Sequence, residues 1–344
     1  MDAKYQEVLR QYNFKVHNTF RIRGAHIIET NEGPKLFKRL ECSKKRVEFE
    51  NKIQRFLINN EFPYIDLYVY NSKDEIITSD SMENKFVIKD WNYGTEIDLR
   101  NEKDVIMGVK NLAFLHTVLR NVPIDEGDLS YNLEVNLHET FKKRTKELRS
   151  VRSYIKRKRK KNQFEICFLD CYNHLLHQAM LAQKKLIESQ YDSLLKDAIS
   201  QRNVYHGNYT YHNVIILDKK RLKTIRARSN ASNHEVGTTN FEKALVGIQI
   251  NDLYHLIRKT MEKNSWDISL GNKMIETYKK HCGISKGEKQ VLYLLILFPE
   301  KFWKVSNYYY NGKKTWVPKR TIQKLTDVQK QTENKDKFLD QIKL

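Results

Sequence analysis

The sequence is poor in the residues that break a chain or staple it. It has 5 prolines and 12 glycines in 344 residues, which argues against long disordered tracts. Its four cysteines, Cys42, Cys167, Cys171 and Cys282, are too few and too scattered for a disulfide framework. Cys167 and Cys171 share a helix face at i,i+4 spacing. No His or Cys pair stands near them at metal spacing, so buried thiols in a reducing compartment fit better than zinc. No apolar run approaches the roughly 18 residues that span a bilayer. The best, residues 291–298, reads as a buried helix segment. Residues 1–6 carry no apolar signal core. The expectation is a protein made in the cytosol, with no transmembrane segment. A glycine-rich phosphate loop is missing too. Only Gly24 lies near the first strand pair, so the sequence offers no G-x-G-x-x-G cradle for a triphosphate, which weakens the case for nucleotide binding.

What is present is aromatic and basic. Hydrophobic residues make up 40%, with 19 Tyr and 15 Phe, enough for a sizeable core in one large two-lobed domain or in two. Charged residues make up 30%, and the net charge is +20. That balance suits an acidic partner, such as nucleic acid, a phosphate-bearing ligand or an anionic surface. It equally suits a plain Lys-rich surface. The cations concentrate over residues 142–161, which include six in a row, Lys156 to Lys161. Like charges repel, so this run is expected as a solvated helix end or loop open to an anionic partner. No aromatic interleaving or recognition motif accompanies it.

Residues 1–90 read as strands around one helix. Residues 14–16 and 20–30 have strand character, 31–34 (Asn-Glu-Gly-Pro) is turn chemistry, and 35–40 returns as a strand carrying Lys38. A helix over 44–59 follows, with Phe49, Ile53, Phe56 and Leu57 as its stripe. Glu50 edges that buried face, where it could meet Lys38. Residues 65–70, 76–77 and 86–88 supply further strands. Lys89, Asp90 and Trp91 then leave the last strand with backbone groups free for a ligand edge. From 105 to 119, and over most of 125–200, the pattern is helical. An apolar strand ends at Leu217, a polar stretch covers 218–238, and 246–258 starts a set of helices that includes 288–298. Asp252 opens the 246–258 helix, where it could act as a cap.

The loop before Leu217 reads His206-Gly207-Asn208-Tyr209-Thr210-Tyr211-His212-Asn213. A protein-kinase catalytic loop reads His-Arg-Asp-x-x-x-x-Asn, with Asp as base and Asn on a metal. His206, Asn208 and Asn213 fall at those three places. Gly207 replaces the Arg, as in the aminoglycoside-phosphotransferase branch. Further on, Asn240-Phe241-Glu242 stands where Asp-Phe-Gly or Asp-x-Asp would bind magnesium. Together with 249–259 (Gln-Ile-Asn-Asp-Leu-Tyr-His-Leu-Ile-Arg-Lys), 266–271 (Trp-Asp-Ile-Ser-Leu-Gly), 298–304 (Phe-Pro-Glu-Lys-Phe-Trp-Lys) and 112–116 (Leu-Ala-Phe-Leu-His), these motifs make the chain resemble the CotS family of spore coat proteins. That family belongs to the aminoglycoside-phosphotransferase-type, protein-kinase-like superfamily. The resemblance covers about residues 10–328.

The resemblance implies an α+β, two-lobed protein-kinase-like fold. A small, mostly antiparallel β-sheet lobe with one helix is expected over 1–90. A larger helical lobe carrying the degenerate loop is expected over 91–325, and a polar tail over 326–344. It also implies a sporulation role: synthesis in the mother-cell cytoplasm, a place in the spore coat, and other coat proteins as partners. The site it implies has His206 as loop scaffold, Asn208 at the base position and Asp252 as loop support. Lys38, Glu50, Lys89, Asp90 and Trp91 would face nucleotide, and Asn213, Asn240 and Glu242 a metal.

The chemistry at that site is depleted. An amide at 208 cannot take the substrate proton that a carboxylate accepts. Asn240 offers one neutral oxygen where magnesium prefers an anion. The leading expectation is a pseudokinase used for binding and coat assembly. The alternative is an active ATP- and magnesium-dependent small-molecule kinase with Glu242 on the metal. A third is a basic adaptor for an anionic partner.

Overall fold

A computed structural model of the chain describes residues 3–22, 24–62, 64–218, 235–311 and 319–343. Two compact units emerge, each built from separated stretches: Met1–Asn132 with Arg202–Val246, and Leu133–Gln201 with Gly247–Leu344.

The first unit is built on a five-stranded antiparallel sheet. Its strands are β1 (Val16–Ile22), β2 (Ala25–Thr30), β3 (Gly33–Arg39), β4 (Ile77–Ser79) and β5 (Lys85–Asp90), in the order β1-β2-β3-β5-β4. The 20–30 run is two strands, folded back at Gly24, whose φ of +69° suits glycine. One sheet face buries Phe37, Phe86, Ile88 and Ile28 against Val8, Leu9 and Phe14. The other carries Lys38, Val87 and Lys89 beside α2 (Lys44–Asn59). Ser43 caps α2 by accepting the Arg46 N–H at 3.3 Å. Its buried stripe is Val47, Glu50, Ile53, Gln54 and Leu57, so two polar groups sit inside an apolar seam.

Two expectations about this region change. It contains a second helix, α1 (Ala3–Leu9), because Tyr5, Val8 and Leu9 recur at i, i+3 and i+4 and pack on the Phe37 face. Residues 65–70 are not a strand of the sheet. Ile65 bridges Thr238 and Tyr68 bridges Lys89, so the segment is shared between two ladders and belongs fully to neither.

The rest of the first unit holds β6 (Gly94–Glu96), α3 (Glu102–Leu119), α4 (Glu126–Asn132), β7 (Val204–Tyr205), β8 (Val214–Leu217), β9 (Val236–Thr238) and β10 (Leu245–Val246). β6-β8-β9 form one small sheet and β7-β10 another. Most of the polar 218–238 stretch, residues 219–234, lies outside the described residues.

The second unit is helical: α5 (Leu137–Arg157), α6 (Gln163–Ile187), α7 (Tyr191–Ser200), α8 (Ile250–Lys263), α9 (Ile268–Cys282), α10 (Lys286–Leu297), α11 (Glu300–Asn311) and α12 (Lys319–Ile342). Its core stacks Phe168 on Phe302 at 4.8 Å and Phe164 on Tyr309 at 4.0 Å. Each such burial contributes about 1.5–3 kcal/mol. Residues 326–342, expected as a polar tail, continue α12. Phe338, Leu339 and Ile342 are buried on one face, and the polar residues cover the other.

Candidate functional site

β7 delivers the chain into the loop at 206, and the 3₁₀ turn Tyr211–Asn213 hands it to β8. His206 is fully buried. Its Nε2 lies 3.0 Å from the Thr239 carbonyl, and its Nδ1 lies 3.2 Å from the Asn208 N–H. A carbonyl only accepts, so Nε2 carries the proton and Nδ1 receives the amide. The ring also lies 4.6 Å from Phe241. His206 thus ties the loop to the 239–241 segment. Gly207 has φ +73°, and a Cβ there would stand 1.8 Å from the Lys243 carbonyl oxygen. No other residue fits, which explains the glycine in the Arg position.

Asn208 keeps its N–H on His206, and its carbonyl accepts from Asn213 Nδ2 at 2.9 Å. The amide nitrogen of Asn213 is therefore used inside the loop. Asn240 adopts a left-handed conformation, φ 66° and ψ 65°, which Asn tolerates better than most residues. Its N–H donates to both oxygens of Asp66 at 3.1 Å.

Around this loop lies a set of buried charges. Lys89 Nζ reaches Glu50 Oε1 at 2.6 Å and Asp66 Oδ2 at 3.3 Å, and all three side chains are at most 2% exposed. The Tyr68 hydroxyl donates to the second oxygen of Glu50. Lys38 pairs with Glu242. Arg46 donates through Nε to the Glu242 carbonyl at 2.5 Å and through Nη1 to Asn132. The expected Lys38–Glu50 pair is thus replaced. The neighbouring strand's Lys89 projects from the same sheet face and takes Glu50, which leaves Lys38 to the carboxylate of the 240–242 turn.

Three cations, Lys38, Arg46 and Lys89, face three carboxylates, Glu50, Asp66 and Glu242. Burial pushes the Asp66 carboxyl up to about 6, against the pull of Lys89. Burial also pushes Glu242 up, but the Lys38 hydrogen bond and the Lys89 charge outweigh it and leave the group below the ordinary carboxylate range. For Lys89, the charges of Asp66 and Glu50 outweigh burial and raise its pKa.

The remaining candidates are placed as follows. The N–H of Asp90 donates to the Leu67 carbonyl at 2.7 Å, and that of Trp91 to Pro34 at 3.1 Å. The amides expected to be free for a ligand edge are therefore in use. The Asp90 carboxylate holds Lys35 at 2.6 Å. Asp252 is fully buried in the second unit. It is the third residue of α8, and the cap position is Gln249. Of the three candidate metal ligands, Asn213 offers an amide oxygen, the ligand type of the kinase loop, Asn240 is neutral where magnesium prefers an anion, and Glu242 is held by Lys38, so the set supplies no carboxylate free of a cation. Among the described residues, no three His, Cys, Asp or Glu side chains stand together as metal ligands. Sequence reasoning missed Asp66 and Tyr68. The signal was available: an acidic residue inside the apolar run Tyr64-Ile65-Asp66-Leu67-Tyr68 needs a buried partner.

Comparison with known proteins bears on the fold. No family profile matches the chain. The chain is similar to Spore coat protein S of Bacillus subtilis (strain 168), with 22% identity over 321 residues, 92% of this chain and 85% of the relative. Among solved structures it resembles an aminoglycoside phosphotransferase from Alicyclobacillus acidocaldarius, at TM-score 0.83 and 17% identity, covering 98% of this chain and 94% of that one. It also resembles spectinomycin phosphotransferase in complex with ADP and spectinomycin, at TM-score 0.68 and 11% identity, covering 97% and 98%. An amicoumacin kinase bound to AMP-PNP follows at TM-score 0.59 and 11% identity, covering 96% and 93%. At these identities the likeness establishes the fold, which is kinase-like.

Proposed function

We propose that this kinase-fold relative of a spore coat protein is a pseudokinase, a non-catalytic scaffold of the spore coat made in the mother cell and assembled with other coat proteins. The observation that carries the reading is the pairing of Lys38 with Glu242. The cation at the phosphate-binding place and the carboxylate at the metal-binding place neutralise each other. Asn208 supports it, since phosphoryl transfer to a hydroxyl needs a group that accepts the proton. The engaged amides of Asp90 and Trp91 support it further.

The competing reading is an active small-molecule kinase. It is favoured by Glu242 staying ionised at neutral pH and by nucleotide-bound neighbours of the same fold. The test mixes the pure protein with labelled ATP, magnesium and hydroxyl-bearing acceptors, alongside a thermal-shift titration. The pseudokinase reading expects no transfer and no magnesium-dependent shift. A magnesium-dependent shift that Glu242→Gln removes, with transfer lost in Lys38→Ala or Asn213→Ala, would overturn it.

A further inference from the structure

The basic stretch that the kinase-like site does not use has a definite geometry. Residues 142–157 lie on α5, which buries Phe141, Thr145, Leu148 and Ile155. Lys142, Lys143, Lys146, Arg149, Lys156 and Arg157 are exposed. At 100° per residue they fall within an arc of about 140°, over about 22 Å of helix. Arg159 and Lys160 extend the row, exposed, in the loop that follows.

The other cations of the stretch are taken. Arg144 pairs with Glu300 at 2.8 Å and Lys158 with Glu165 at 2.6 Å, Arg152 lies over the Tyr172 ring at 4.9 Å, and Lys161 donates to the Lys158 carbonyl at 2.9 Å. The exposed ones have no carboxylate partner among the described residues. The helix has two acidic residues. Glu139 stands in its first turn, and Glu147 accepts the Trp303 indole N–H at 2.5 Å. The fold thus sorts the stretch: inward cations engaged by carboxylates, a ring or a carbonyl, outward cations left as an uncompensated row.

What would such a row bind? A protein interface draws its affinity from a desolvated apolar or aromatic centre. Tyr154 is the one large hydrophobic side chain exposed among the cations, so that centre is missing. A flexible polyanion needs none, because its affinity comes from counterions released at each phosphate contact. No Asn or Gln stands among the exposed cations to read adenine, and cations alone reach the phosphates of any sequence. We propose that the exposed face of α5 and the loop after it bind the backbone of a phosphate-linked polyanion without reading its sequence. This stands independently of whether the kinase-like site is active.

The test is equilibrium binding of the full chain to oligothymidylate, inorganic polyphosphate and polyglutamate of matched charge, from 50 to 500 mM salt. Six phosphate contacts give a slope of log K against log salt of about −4 on a single strand. The fourfold variant Lys142→Gln, Lys146→Gln, Arg149→Gln and Lys156→Gln removes exposed groups without partners, and Gln suits a helix. It should flatten the slope by about 3 and weaken binding at 0.1 M salt a hundred-fold or more. A control with Lys110→Gln, Lys280→Gln, Lys286→Gln and Lys343→Gln, also exposed, removes equal charge and should change binding less than about three-fold. Lys→Arg replacements at 142, 146 and 156 should retain binding. Tight binding of both phosphate polymers supports a shared phosphate site, and binding of oligothymidylate alone narrows it to nucleic acid. The proposal falls if polyglutamate binds as well as the phosphate polymers, if the slope is shallower than about −1, or if the control loses as much as the fourfold variant.

Discussion

Replacing Lys89 by Met keeps the length of the side chain and removes its charge. Glu50 and Asp66, each 1% exposed, then lose the ammonium that bridges them. Removing one partner of a buried ion pair costs about 3–5 kcal/mol, because the remaining charge stays desolvated. Lys38→Met also breaks an ion pair, but its partners are 25% and 23% exposed and can rehydrate. That loss should be about 1 kcal/mol or less. For a cooperative unit of roughly 150–250 residues, 1 kcal/mol moves Tm by about 2–4 °C. Lys89→Met should therefore lower Tm by on the order of 10 °C and Lys38→Met by a few degrees at most, read by circular dichroism. Adding Glu50→Gln to Lys89→Met should recover about 1–3 kcal/mol, since it removes one stranded charge and leaves an acceptor for Tyr68. The reasoning fails if Lys38→Met is the more damaging of the two, which is the order expected if Lys38 held Glu50.

Two further outcomes follow from the same geometry. Gly207→Ala meets a backbone oxygen at 1.8 Å in a left-handed conformation, so urea denaturation should show a loss of at least about 2 kcal/mol; a loss under 0.5 kcal/mol would contradict the close approach. Burial pushes Glu134 up to about 7 from an ordinary 4.5, although it accepts from the Ile248 N–H and the Asn251 amide at 2.7 Å each. The folded chain then holds a proton that the unfolded chain has released, so the Glu134 contribution to stability is largest below about pH 4.5 and declines as pH rises to about 7, by on the order of 3 kcal/mol. In Glu134→Gln that decline should shrink, and a wild-type-minus-variant Tm difference that is flat from pH 4 to 8 would count against it.

Legibility was uneven, for physical reasons. The loop 206–213 could be read because its roles need particular residues at fixed spacing: a histidine to span, a glycine at positive φ, an asparagine to close. The stripe of α2 could be read because helix periodicity is local. The partner of Glu50 could not. Lys38 and Lys89 lie on adjacent antiparallel strands and point to the same sheet face, and register alone decides which ammonium reaches the helix. Residues 326–342 looked like a tail because one buried face every turn is diluted by polar residues on the other.

The sequence by itself determined the α+β class, the degenerate loop with amides at 208 and 240, the basic stretch, and the lack of a triphosphate cradle. These are matters of residue type and local spacing. Tertiary structure alone decided that Lys38 is spent on Glu242, that Lys89 and Asp66 form the buried ionic centre with Glu50, and that the exposed cations of α5 are the ones left without partners. Each of these depends on which groups meet across distant segments and how far water is excluded there, and desolvation is a property of the packed chain.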